Sequence, residues 1–299
     1  MFGLGRSELR SDIAIEPLVT VREGCLCQDG ITASAEPSSF KDRGAEVLMA
    51  ACMLRGVDRV VADSSGNAGV AVARAAALRR IKAHVVVPEA TPTAKLDAML
   101  AHGAEVEVVA GDREAAHQRA LELARSTVYA SHIFQPFFHA GVASLAWELA
   151  LVLGDRLPHH LFLPVGNGSL LLGMLLGWRT LIASALAPEP VIHAVQLQGY
   201  ATLALEGSAG PATNRGSKAP RAAGIAITKP PRMRDIETAM REHHGDVTIV
   251  HDDDIRIAED ELEELGMRCD ATGAAAYAGW KRHKEGRQIR FLALVTSKR

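Results

Sequence analysis

Two hydrophobic patterns alternate along most of the chain. Short apolar runs at 59–62, 84–87, 106–109, 128–130, 161–165 and 192–196 have the length and composition of buried strands. Between them, apolar positions recur at helical spacing over 70–80, 93–102, 113–125, 141–153 and 170–178. Upstream, 15–33 predicts short strands with turns at Glu23-Gly24 and Asp29-Gly30, and 45–54 predicts a helix ending near Gly56. A Gly-, Ala- and Pro-rich stretch at 207–229 breaks the rhythm and reads as a long loop. Helices at 235–243, 254–265 and 273–284, with strands at 247–250 and 289–295, complete the chain.

Strands alternating with helices at this spacing predict an α/β protein with mostly parallel, doubly wound sheets. No clean linker separates the two ends, so two domains, if present, are intertwined. Trp147 and Trp178 fall on apolar helix faces and are expected in the core.

Composition narrows the class. The chain has 299 residues, 48% hydrophobic and 23% charged, which is globular and not disordered. A net charge of -2 without a basic stripe gives no reason to expect a nucleic-acid partner. The nearly apolar stretch 161–178 is interrupted by Pro164, Asn167 and glycines, so it reads as strand, loop and helix and not as a membrane span. The first residues lack the apolar core of a signal peptide, which predicts a cytoplasmic protein. Cys25, Cys27, Cys52 and Cys269 show no zinc spacing, and reduced thiols are expected. His159-His160 and His243-His244 read as turn or helix-end residues, and no metal site is predicted.

Three stretches carry chemistry. Gly166-Asn167-Gly168-Ser169 lies between an apolar strand and an apolar helix, where glycines and free helix N–H groups can cradle a phosphate. Ser64-Ser65-Gly66-Asn67-Ala68 occupies the same kind of turn one strand earlier, suited to a carboxylate or a phenolic oxygen. Ser39-Phe40-Lys41-Asp42-Arg43-Gly44 places a lysine beside an aromatic residue at the edge of a helical run. Each alone is ambiguous: a surface lysine, a capped helix and an ordinary turn are the bland readings.

In this order the three stretches resemble fold-type II pyridoxal-phosphate (PLP) enzymes. Ser39-Phe40-Lys41-Asp42-Arg43-Gly44 and Pro164-Val165-Gly166-Asn167-Gly168 are most similar to threonine synthases, as is Tyr129-Ala130-Ser131-His132 followed by Pro136 and Gly141. The resemblance runs from about Pro17 to Thr296. It implies two intertwined three-layer α/β/α domains: a larger PLP-binding one from 1–44 plus 145–299, and a smaller, mobile one at 45–144. It implies that Lys41 carries PLP as a Schiff base and serves as acid and base, with Phe40 packed beside the cofactor. Gly166, Asn167, Gly168 and Ser169 would hold the cofactor phosphate. Asn67 would meet the ring's phenolic oxygen and, with Ser64, Ser65, Gly66 and Ala68, would also bind the substrate. The ring nitrogen would meet a hydroxyl, Thr296 in preference to Thr272.

The implied activity is a lyase or replacement reaction on a small amino acid. Threonine synthase chemistry leads: elimination of phosphate from O-phosphohomoserine, then hydration. A serine/threonine dehydratase or a cysteine synthase-like β-replacement enzyme is the alternative, and a homologue that binds PLP or a metabolite without turnover is the alternative of another class. The discriminating feature would be a second anion site, for which Lys95, Arg215 and Lys218 are available. The family also implies a homodimer. Two departures stand out: Glu36-Pro37-Ser38-Ser39 is one residue shorter than the family's usual lead-in, and Ser297 replaces a usual glycine. A nicotinamide-binding Rossmann protein fits the alternation but lacks the glycine fingerprint.

Overall fold

The computed structural model describes residues 19–22, 25–28, 39–203, 220–267, 269–283 and 291–295. Two sheets organise them. The smaller is parallel throughout, in the order β5-β4-β3-β6, from β3 (Arg59–Ala62), β4 (Lys82–Pro88), β5 (Glu105–Val109) and β6 (Val128–Tyr129). The larger has the order β1-β2-β10-β7-β8-β9, from β1 (Val19–Arg22), β2 (Cys25–Gln28), β7 (His160–Pro164), β8 (Val191–Leu197), β9 (Asp246–Val250) and β10 (Phe291–Val295). Only its β1–β2 pair is antiparallel. The predicted α/β class with mostly parallel sheets is what the chain forms.

The apolar runs do not alternate with polar residues because both faces of each strand are covered, as parallel sheets require. Val60, Val85 and Val87 face one core while Val61 and Val86 face another, beneath α4 (Arg113–Leu123). In the larger sheet Leu161 and Leu163 join the first core. Phe162 points the other way, toward α8 (Asp252–Glu264) and α9 (Ala271–Arg282). The first core is therefore shared by both sheets.

Three helices fill that shared layer. α5 (Pro136–Leu153) packs against α1 (Phe40–Leu54) and α6 (Ser169–Ala183). Glycines permit the close crossings: a Cβ on Gly141 would lie 2.1 Å from the Arg43 carbonyl oxygen, and one on Gly177 2.3 Å from that of Ala143. Arg43 reaches across to α5, donating to Glu148 through two nitrogens at 2.5 and 2.9 Å and to Ser144 Oγ at 2.9 Å. Among the described residues α5 alone is long and apolar enough to cross a membrane. Its apolar positions Phe138, Val142, Leu145 and Leu149 are spent on the core.

Several boundaries differ from the sequence reading. α1 begins at Phe40 and not at Ala45, because Ser39 and Asp42 form a reciprocal capping box: Ser39 Oγ accepts from Lys41 N–H, and Asp42 accepts from Ser39 N–H at 2.7 Å. α5 begins at Pro136, five residues before Gly141, since proline is already set for the first helical turn. Trp178 is fully buried as expected, whereas Trp147 is 42% exposed and donates to Thr180 Oγ1 at 2.8 Å. The indole nitrogen finds its partner at the α5–α6 rim, which holds the ring out of the core.

Candidate active site

Lys41 sits in the first turn of α1, half-buried, with its Nζ 4.0 Å from the centroid of the Phe40 ring. Asp42, its neighbour, is tied to Arg74 of α2 (Asn67–Leu78), so α1 is anchored to α2 on one side and through Arg43 to α5 on the other. Burial pulls the Lys41 amine down to about 8; the carboxylates of Asp270 and Asp42 pull the other way, and the cation of Lys95 adds to the lowering.

β3 ends at Ala62, and the chain turns through Asp63, Ser64, Ser65 and Gly66 into α2. The turn folds tightly on its helix: a Cβ on Gly69 would lie 2.1 Å from the Ser64 carbonyl oxygen. Asn67 opens α2 with its side chain held at both ends. Its Oδ1 accepts from Lys95 Nζ at 2.6 Å, and its Nδ2 donates to Asp270 Oδ2 at 3.4 Å. Ser64, Ser65 and Gly66 are half-buried and Ala68 is fully buried.

β7 ends at Pro164, and Val165 to Gly168 lead into α6 at Ser169. Gly168 has φ +81, in the left-handed region, and a Cβ there would meet Ile236 at 2.6 Å. A Cβ on Gly166 would lie 2.7 Å from the Gly224 carbonyl oxygen. Gly224 in turn donates its N–H to Thr272 Oγ1 at 3.2 Å, which joins Thr272 to the wall of the glycine loop. Asn167 is half-buried in that loop. Thr296, together with Arg215 and Lys218, lies outside the described residues.

The glycine loop faces the lysine through His132. His132 Nδ1 is 3.1 Å from Ser169 Oγ, and burial, then the Lys41 charge, lowers the imidazole to about 4. It is neutral at neutral pH and bonds Ser169 without adding charge. The predicted residues Lys41, Phe40, Asn67, Gly166, Ser169 and Thr272 thus belong to one neighbourhood, at the N-termini of α1, α2, α6 and α9. Sequence reasoning assigned no role to Asp270 or His132. Asp270 stands at the N-cap of α9, accepting from Gly273 N–H at 2.9 Å, and its position two residues before Thr272 was the available signal.

The residues fit a phosphate-bearing aldehyde. The helix caps at Gly66 and Gly168 are glycines without side-chain acceptors, so neither α2 nor α6 has a side chain competing for its leading N–H groups. The lysine amine, its pKa lowered, feels the charge of Asp270, which meets Asn67 at the start of α2, and acts in turn on His132, which meets Ser169 at the start of α6.

The comparisons agree with that chemistry. Residues 36–296 match the family described as "Pyridoxal-phosphate dependent enzyme". The chain belongs to this family, of fold type II, whose cofactor is pyridoxal phosphate. It is 30% identical over 265 residues to a biosynthetic L-threonine dehydratase of Pasteurella multocida, covering 86% of this chain and 49% of the relative. It is 38% identical over 150 residues to the L-serine dehydratase/L-threonine deaminase of Mus musculus, covering 49% and 46%. A threonine synthase of Methanosarcina acetivorans is 26% identical over 250 residues, covering 82% and 62%. The chain spans about half the length of the two dehydratases. Among solved structures, threonine deaminase isoform 2 of Solanum lycopersicum superposes with a TM-score of 0.71 at 26% identity, over 88% of this chain and 76% of that one.

Proposed function

We propose that the chain eliminates a β-substituent from a small amino acid, with serine or threonine as substrate, as a PLP-dependent dehydratase. The observation that carries this reading is a Lys41 amine lowered to about 8 and electrostatically linked to Asp270 and His132, which bond Asn67 and Ser169 at the starts of the two glycine-capped helices. Gly166, Asn167, Gly168 and Ser169 would hold the cofactor phosphate, and Lys41 would hold its aldehyde carbon. The cofactor supplies an electron sink for the carbon beside the amino group.

The protein's own residues do the rest. The Ser64, Ser65, Gly66 and Ala68 turn, at the start of α2, receives the substrate carboxylate. Lys41 Nζ, near neutrality in its proton affinity, takes the proton from the substrate's α-carbon and supplies one to the departing group. Asn67, whose Oδ1 accepts from Lys95 and whose Nδ2 gives one N–H to Asp270, would have its second amide N–H for the cofactor's phenolic oxygen. Thr272 accepts from Gly224 N–H, and its own O–H would be the donor available to the ring nitrogen. Thr296 remains the other candidate for that contact. Residues 45–144, with the four-stranded sheet, are proposed to move as the smaller domain when substrate binds.

Threonine synthase chemistry is the second reading. Lys95, bound to Asn67, brings a second cation into the site, which a phosphorylated substrate needs. A substrate screen separates the two. Purified protein with PLP is given serine, threonine, O-phosphohomoserine and O-acetylserine, and 2-oxo acid, phosphate, threonine and acetate are measured. Release of 2-oxo acid and ammonia from serine or threonine supports the dehydratase reading. Phosphate and threonine from O-phosphohomoserine, with no 2-oxo acid from either hydroxy amino acid, would replace it by the second.

A further inference from the structure

One histidine cluster takes no part in this chemistry. His160 opens β7, His193 is the third residue of β8, and His283 caps the C-terminal end of α9. Phe162 pairs in register with His193, and residues two apart on a strand share a face, so His160 and His193 project from the same side of the sheet. That is the side α9 covers, since Phe162 packs in the α8–α9 core. α9 runs from Asp270 at the active site toward the N-terminal edge of the strands, and so delivers His283 to the other two rings.

The three rings are close enough to share a ligand. His160 Nδ1 is 2.8 Å from His193 Nε2, and the His193 and His283 ring centroids are 4.5 Å apart. One nitrogen from each of the three lies within 4.8 Å of the others. His193 is 2% exposed, and its Nδ1 has no hydrogen-bond partner. The Phe162 ring stacks on it at 4.2 Å and fixes its plane. Burial, then the like charges of His283 and His160, lowers His193 to about 3, so it is a neutral imidazole with a lone pair to give at neutral pH. Hydrogen bonding between the rings leaves that buried nitrogen unsatisfied.

We propose that His160, His193 and His283 bind a divalent late first-row transition-metal ion such as Zn2+, with a fourth position open to water. Imidazole nitrogens select this class, whereas Ca2+ and Mg2+ take oxygen ligands. Tetrahedral Zn–N bonds of about 2.0–2.1 Å set the nitrogens roughly 3.4 Å apart. One nitrogen from each ring already lies within 4.8 Å of the others, so shifts of about 1 Å bring three nitrogens to that spacing. Gly166 is six steps of strand and turn beyond His160, and at about 3.3 Å each they put the ion up to roughly 20 Å from the phosphate loop. The ion would fasten the far end of α9 to β7 and β8 without entering the active site.

The test uses tag-free protein carrying PLP, titrated with Zn2+ by calorimetry and with Co2+ by visible absorption. One ion per chain is expected, with tetrahedral Co2+ bands and a rise of several degrees in melting temperature. His283→Gln, at a half-buried helix end, should bind Zn2+ at least ten-fold more weakly while keeping the wild-type PLP band, and His160→Gln should behave alike. His159→Gln, one residue away and exposed, should bind as wild type does. Equal Zn2+ affinity in wild type and His283→Gln, or no stoichiometric binding in wild type, would overturn the site.

Discussion

Gly141→Ala puts the packing argument at its most exposed point. Gly141 lies inside α5, where alanine is the better helix former by about 1 kcal/mol, so local propensity alone predicts a more stable protein. The tertiary contact predicts the opposite. The new Cβ would lie 2.1 Å from the Arg43 carbonyl oxygen, 2.7 Å from its carbon and 2.8 Å from Gly44 Cα. All three are backbone atoms of α1, so no side chain can swing aside. Nonbonded heavy atoms settle at about 3.5 Å, which forces α1 and α5 apart by more than about 1 Å. Overpacking of this kind costs about 3 kcal/mol at the upper end of its usual range. With the propensity gain deducted, about 2 kcal/mol of stability should be lost, a fall of roughly 4–8 °C in melting temperature for a chain of this size. Because Lys41 is in the first turn of α1, PLP affinity, read by titrating the visible band, should fall as well. An unchanged or raised melting temperature with unchanged PLP affinity would refute the claim that this glycine sets the α1–α5 distance.

Two further substitutions follow from the same frame. Glu148→Ala removes the carboxylate from the buried Arg43 guanidinium and should cost about 3–5 kcal/mol, seen as a lowered urea midpoint. Asp270→Asn keeps an oxygen to cap α9 but removes the carboxylate that raises the Lys41 pKa, so the amine should lose its proton at lower pH than in wild type. The rate at which apoprotein captures PLP, followed against pH, should rise through a midpoint near 8 in wild type and at lower pH in the variant; coincident profiles would contradict the assignment. The sign for folding is consistent: a lysine at about 8 folded and 10.5 unfolded binds fewer protons when folded, so its penalty is full below pH 8 and is relieved as pH rises to 10.5.

Much of this was legible in the chain because the signals are local. Val60 and Val61 are both apolar because each face of β3 has its own core, and such runs alternating with helical stretches mark parallel strands. The glycine loop at 166–169 and the turn at 64–68 announce themselves as strand-to-helix junctions. What escaped depends on other parts of the molecule. The start of α1 rests on two short polar residues three apart, Ser39 and Asp42, which a search for apolar periodicity passes over. Lys95 and Asp270 meet at Asn67 from different elements, 28 and 203 positions away. Trp147 and Trp178 both fall on apolar stretches, and it is Thr180, on the neighbouring helix, that holds the Trp147 indole at the rim.

The central claim is that Lys41 is the amine that captures the cofactor, although Lys95 stands in the same site. Borohydride reduction of the PLP-loaded protein, followed by peptide mass spectrometry, tests it directly. A single phosphopyridoxyl group is expected on the peptide containing Lys41, and neither that group nor the visible band in Lys41→Ala. Modification at Lys95 instead, or a band that persists in Lys41→Ala, would contradict it.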